Sequence, residues 1–196
     1  TVNTPTLILQ NLLISNGKAD IGGAIIAGGS ITLLNTVLAE NEASIAGGAI
    51  YLSGRNSTLT ATNSTFRQNK GNQGAVLGMS CLDHLSPVTR TINISASSLT
   101  NNGSTENNSV IEGCGAVSMS VEISTIAQNT AKTDGGIFYF VDNLDSSSSL
   151  TLLRTTMAEN HNAPVLSYGQ LGNLAIASSI IAFNDFGCSA KNNSGT

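Results

Sequence analysis

Tryptophan is missing from this 196-residue chain, and only 4% of its residues are aromatic. The core must therefore be built from aliphatic side chains. Charge is scarce too: Asp, Glu, Lys and Arg make up 10%, against about 25% in an average soluble domain. The eight Lys and Arg are scattered, so the basic stripe that would hold a phosphate backbone is missing and no nucleic-acid partner is expected. No apolar run approaches the ~20 residues of a membrane-spanning helix, so no transmembrane segment is expected in this chain. Nothing resembles a signal peptide, so the chain reads as a mature protein or an excised piece of a longer one. Cys81, Cys114 and Cys188 follow no C-x-x-C spacing, and His84 and His161 lack partners at ligand spacing, so no metal site is expected. Neither GxGxxG nor GxxxxGK[ST] occurs, and no cofactor is expected.

Ser, Thr, Asn and Gly take the place of charge, and they favour turns and strands over helices. They are arranged in a repeat. Seven phrases are aligned on a final residue, position zero: 7–17, 31–41, 59–69, 92–102, 119–129, 150–160 and 174–184. Position zero is Asn41, Asn69, Asn102, Asn129, Asn160 and Asn184, with Gly17 in the first copy. Asn and Gly interchange where φ is positive, so this column predicts a stacked Asn ladder at a tight turn. Position −6 holds Asn11, Asn35 and Asn63 in the first three copies, a second candidate ladder. Positions −10 and −8 are apolar in nearly every copy, with mostly polar residues between them, the period-two signature of a half-buried strand. Position −3 is Ile14, Leu38, Phe66, Leu99, Ile126, Met157 and Ile181, a candidate core stack.

After each zero comes a polar turn and a Gly-rich lead into a third apolar strand: GGAII at 22–26, GGAIY at 47–51, GAVL at 74–77, CGAV at 114–117, GGIFYF at 135–140, and APVL at 163–166. Three short strands and three bends cannot bury their apolar sides alone. Stacked at ~4.8 Å they make three parallel sheets around one core. The expected fold is all-β: a right-handed, three-sided parallel β-helix of about seven rungs, roughly 30–35 Å tall, forming a single domain over 1–196. An open β-helix end invites end-to-end association, so flanking domains of the same protein are expected.

Segments that exceed the repeat mark candidate contact loops at 78–90, 103–113 and 142–149. Cys81 and Cys114 flank third strands of adjacent rungs and are a possible disulfide pair, which would suit an oxidising compartment. No strand carries two outward acids two residues apart, and no catalytic residue is nominated; Glu122 and Arg154, one rung apart, read as a surface ion pair. Column −5 (Leu12, Thr36, Ser64, Ser97, Ser124, Thr155, Ser179) is a Ser/Thr file that raises an ice-binding face, although only Thr60-x-Thr62 has the regular spacing. Hydroxyl pairing between stacked strands is the plainer account.

GGAI at 22–25 and 47–50, together with Phe66-x-x-Asn69, resembles the GGA[ILV]/FxxN repeat of the chlamydial polymorphic membrane proteins. With Leu, Ile or Met in place of Phe elsewhere, the pattern is similar to the broad group of bacterial surface and secreted proteins with pectin-lyase-like β-helices. The segment 180–195 resembles a final rung of such proteins. The resemblance implies a surface-displayed passenger, commonly an adhesin and in some cases an autotransporter, contacting host or environmental surface macromolecules, protein or glycan. The same fold hosts polysaccharide lyases and glycoside hydrolases, so a carbohydrate-active enzyme is the alternative.

Overall fold

The computed structural model describes residues 5–80, 89–104, 106–140, 148–168 and 171–190. These residues form strands and turns, with no helix among them. The chain winds as a parallel β-helix with three seven-stranded sheets. In coil two, for example, Ser30–Leu34 belongs to the first sheet, Val37–Ala39 to the second and Ile50–Leu52 to the third. A fourth, three-stranded sheet is confined to coils one to three: Lys18–Ile21, Glu42–Ala46 and Lys70–Gln73.

Register is set by the repeat. Ile14, Leu38, Phe66, Leu99, Ile126, Met157 and Ile181 are successive partners up the second sheet. In the middle coils these side chains are buried, as are −10 and −8 residues such as Ile31, Leu33, Ile92 and Ile94. Alternation puts one face of each strand on the shared core and the other in solvent.

Two corners in each coil are made by single left-handed residues. At position −6, Asn11, Asn35, Asn63, Ala96, Ile123, Arg154 and Ser178 have φ from 47° to 54°. At position −1, Asn16, Glu40, Gln68, Asn101, Gln128, Glu159 and Phe183 have φ from 53° to 59°. The second turn therefore pivots one residue before the conserved-offset asparagine, correcting the expectation that position zero itself is left-handed. Position zero is instead the inward-facing residue after the pivot, fully buried from Asn41 to Asn160.

The buried asparagines form a continuous ladder. Asn41 Nδ2 donates to Asn69 Oδ1 at 3.0 Å, and the Asn41 backbone N–H donates to the same oxygen at 3.1 Å. The pattern repeats from Asn69 to Asn102, to Asn129, to Asn160 and to Asn184. The second amide hydrogen points the other way, to the position −3 carbonyl one coil below, for example Asn102 Nδ2 to Phe66 O at 2.9 Å. Both donors and the oxygen are thus engaged. The second ladder is short and exposed: Asn35 Nδ2 donates to Asn11 Oδ1 and Asn63 Nδ2 to Asn35 Oδ1. It stops at coil four, where Ala96 has no amide.

The −5 file is interior rather than surface. Thr36, Ser64, Ser97, Ser124 and Thr155 are buried. Their hydroxyls donate to strand-end carbonyls, and those of Ser64, Ser97 and Ser124 also accept a backbone N–H of the coil before, as in Ser64 N to Ser97 Oγ at 3.0 Å. The ice-binding reading of this column therefore loses its surface.

The third strand of coil four is Ser109–Gly113, not the CGAV at 114–117; Ala116 already opens the first-sheet strand Ala116–Glu122. Likewise, much of the three expected loops is scaffold. Leu77–Met79 and Thr89–Ser95 claim the two ends of 78–90, Ser109–Gly113 claims half of 103–113, and Ser148–Leu153 claims the end of 142–149. Residues 81–88 and 141–147, between these strands, lie outside the described residues. Arg90 is fully buried, and its guanidinium donates to the carbonyls of Gly54, Ser80 and Cys114, pinning the crossing between third and first sheets.

Asn102→Ala leaves the Asn69 backbone N–H and one hydrogen of the Asn69 amide without an acceptor in a dry interior, and takes from the Phe66 carbonyl its second donor. It is expected to destabilise by about 2–4 kcal/mol, against under about 1 kcal/mol for the exposed Asn63→Ala, measured by denaturant midpoint. Ile123, β-branched at φ 49° and half exposed, is strained. Ile123→Asn is expected to stabilise by about 1 kcal/mol in the same assay.

Candidate functional site

The scarce charge of this chain gathers at one corner. Lys18, Glu42 and Lys70 occupy position +1 of coils one, two and three and are register partners in the short fourth sheet. Lys18 Nζ lies 3.3 Å from Glu42 Oε2. On the neighbouring pivot column, Arg67 contacts Glu40 at 3.5 Å and donates to Gln68 Oε1 at 2.7 Å. These pairs are exposed, worth under about 1 kcal/mol each. Their consequence is a surface dense in donors and acceptors rather than a stable clasp.

Coil four breaks away from this sheet. Gly103 bridges to Thr130, and Thr130 to His161, continuing the corner by single pairs. Around it, Asn107 N donates to Ser104 O, Asn108 N to Asn72 O at 2.7 Å, and Lys132 N to Asn107 O at 2.7 Å, so Ser104 and Asn107 form a turn-like contact beside the sheet. Between this turn and the fourth-sheet strands lies a groove of about 670 Å³, bordered by Glu42, Lys70, Asn72, Glu106, Asn107 and Lys132. A second hollow of about 440 Å³ shares Glu42 and Lys70 with it and runs on past Lys18, Glu40, Gln68 and Asn101. Asn107 Oδ1 is buried with no hydrogen-bond partner among the described residues. The groove therefore presents two ammonium groups, two carboxylates and several amides: a surface able to bind a polar chain through many hydrogen bonds.

Glu112 is a separate feature. It sits on the third sheet beside Tyr139 and is buried. Burial pushes its carboxyl up to about 7, partly offset by the hydrogen bond that Ser109 Oγ donates to Oε2 at 3.0 Å. Ser109 Oγ also accepts the N–H of Gly74, a left-handed glycine at the corner of coil three. Glu112 borders neither hollow, so its perturbed acidity belongs to packing. Glu122 accepts from Ser120 Oγ and forms no ion pair with Arg154, which is the left-handed pivot of its coil.

His161 Nδ1 lies 3.3 Å from Asp185 Oδ1, and Asp185 Oδ2 accepts the Asn162 N–H at 2.9 Å. The backbone bond first, then His161, hold the Asp185 carboxyl below its ordinary value. His84 lies outside the described residues. No group of three or more metal-ligating side chains exists among the described residues. Cys114 is disulfide-bonded and Cys188 is a free, exposed thiol, its acidity weakened by partial burial. Cys81 lies outside the described residues. No helix among the described residues is long and apolar enough to cross a membrane.

No protein-family model matches the chain, and no curated protein or solved structure is significantly similar to it.

The groove was invisible in the sequence because its residues come from coils two to five. Only the +1 alternation Lys18, Glu42, Lys70 carried a trace of it.

The raised pKa of Glu112 predicts pH-dependent stability. The folded state holds this proton up to about pH 7, whereas the unfolded chain releases it near the ordinary glutamate value, so the native state binds more protons between the two. Stability is therefore full below about pH 4.5 and falls as pH rises towards about 7. Melting temperatures from pH 4 to 8 are expected to show this decline in the wild type and to lose that component in Glu112→Gln.

Proposed function

We propose that this chain is a surface-displayed β-helix that serves as a binding module or stalk, in the manner of an adhesin, and that the groove at the corner of the second and fourth sheets is its contact site. The observation that carries this reading is the concentration of Glu42, Lys70, Glu106 and Lys132 around one concavity on a chain with 10% charged residues. A charge-poor surface of Ser, Thr and Asn suits hydroxyl and amide partners, so the ligand class is a glycan or a polar peptide segment of a host or environmental surface macromolecule. The disulfide at Cys114 suits an extracellular, oxidising setting. The likeness of GGAI and Phe66-x-x-Asn69 to chlamydial polymorphic membrane protein repeats, and to pectin-lyase-like surface β-helices more broadly, supports the same placement, including outer-membrane display and autotransporter passengers.

A second reading is a carbohydrate-active enzyme, favoured by Glu42 and Glu106 bordering the same groove. Acid pairs across a bound sugar are the machinery of glycoside hydrolysis.

Binding to an immobilised glycan and surface-protein panel separates these readings. A binding module is expected to retain its ligand unchanged, and Lys70→Ala with Lys132→Ala is expected to weaken binding at least ten-fold. Release of saccharide products that stops with Glu42→Gln or Glu106→Gln decides for the enzyme. Binding unaffected by all four substitutions removes the groove from the proposal.

A further inference from the structure

The two ends of the solenoid differ chemically. Both internal ladders run in one direction: the backbone N–H of each coil donates to a side-chain oxygen of the coil that follows. For position zero this holds from Gly17 N to Asn41 Oδ1 through Asn160 N to Asn184 Oδ1. For position −5 it holds from Thr36 N to Ser64 Oγ and, after a gap at Ser124, from Thr155 N to Ser179 Oγ.

Coil one offers no such oxygen to anything placed before it. Its position −5 is Leu12 and its position zero is Gly17. Coil seven keeps both side chains, Ser179 and Asn184, and the backbone N–H groups of these two residues have no acceptor among the described residues. The inward apolar side chains of the same coil are uncovered: Leu174, Ile176 and Ile181 are 36%, 43% and 38% exposed, while their counterparts in coil six, Leu150, Leu152 and Met157, are buried.

We propose that the coil-seven end is an interface for a further β-coil of this repeat, one that presents a Ser hydroxyl, as at every accepting −5 position here, and, five residues later, an Asn amide in register with Ser179 and Asn184. Coil one of a second copy does not qualify. Stacked there, it would set Leu12 and Gly17 over two buried N–H donors, and a buried donor without an acceptor opposes association. The ladder thus selects the occupant: hydrophobic contact alone would accept any coil, whereas the two N–H groups require both oxygens.

The test is amide hydrogen exchange on the full chain and on two extended chains. Each extension carries a copy of residues 171–190 after Thr196, so that 191–196 serve as the crossing. One copy is unchanged, and the other carries Ser179→Leu and Asn184→Gly within the added coil. In the unextended chain the amides of Ser179 and Asn184 are expected to exchange at nearly the unprotected rate, while Ser97 and Asn129 are protected. The unchanged copy is expected to slow Ser179 and Asn184 at least 100-fold, and the altered copy to leave them fast. Ser97 and Asn129 report that each chain is folded. Equal protection by both copies, no protection by either, or protection already present in the unextended chain overturns the proposal. So does a sedimentation profile in which the unextended chain forms end-to-end polymers.

Discussion

A buried side-chain amide has two hydrogens and an oxygen to satisfy, and the interior of this solenoid is built around meeting that demand in coil after coil. From Asn69 to Asn160, each position-zero asparagine hands one hydrogen upward to the next asparagine and one downward to a strand carbonyl, and receives two donors on its oxygen. These bonds cross from one coil to another. Cohesion between coils is therefore written into the corner itself, and the apolar stack of Leu38, Phe66 and Leu99 packs beside a polar column that already specifies register. Hydrophobic burial supplies the larger, non-directional share of stability. The amides decide which coil sits on which, since a slip by one residue would orphan every donor in the ladder.

The same corner explains where the surface acquires character. Turning the chain inward at position zero needs a left-handed residue at −1, and the side chain there points out. Glu40, Gln68, Asn101, Gln128 and Glu159 fill that place, so the pivot column is a polar ridge. Next to it, the +1 column carries Lys18, Glu42 and Lys70. Ladder geometry and surface chemistry are thus consecutive residues: inside, an amide that cannot change; on either side, positions free to vary. The groove arises where coil four stops following this pattern and adds no strand to the fourth sheet, opening space that the regular stack would have closed. The proposed contact groove comes from an interruption of the repeat.

Much of the scaffold could be read directly. The apolar columns at −10, −8 and −3 and the asparagines at zero recur at fixed offsets because each must contact its own copy above and below. The −5 hydroxyls were legible as a column but not as to side: Thr36 and Ser64 look like surface residues until the corner is closed and they are seen capping buried backbone groups. The third strand of coil four was hidden for a different reason. Its sequence, SVIEG, has Ser109 in place of the glycine pair and carries a buried Glu112 that accepts the Ser109 hydroxyl. Arg90 misled in the same way, since a charged residue beside a long insertion reads as exposed, whereas three carbonyls converge on its buried guanidinium.

By itself, then, the order of residues determined the winding: period, register and the identity of what lies inside, because all three follow from a pattern in which every coil must match the next. Tertiary structure alone decided the site. Glu42, Lys70, Glu106 and Lys132 are brought to one groove by the path of the corner across several coils, and that path depends on where the fourth sheet ends. No local pattern encodes this ending, because it is set by how far one coil departs from the one beneath it.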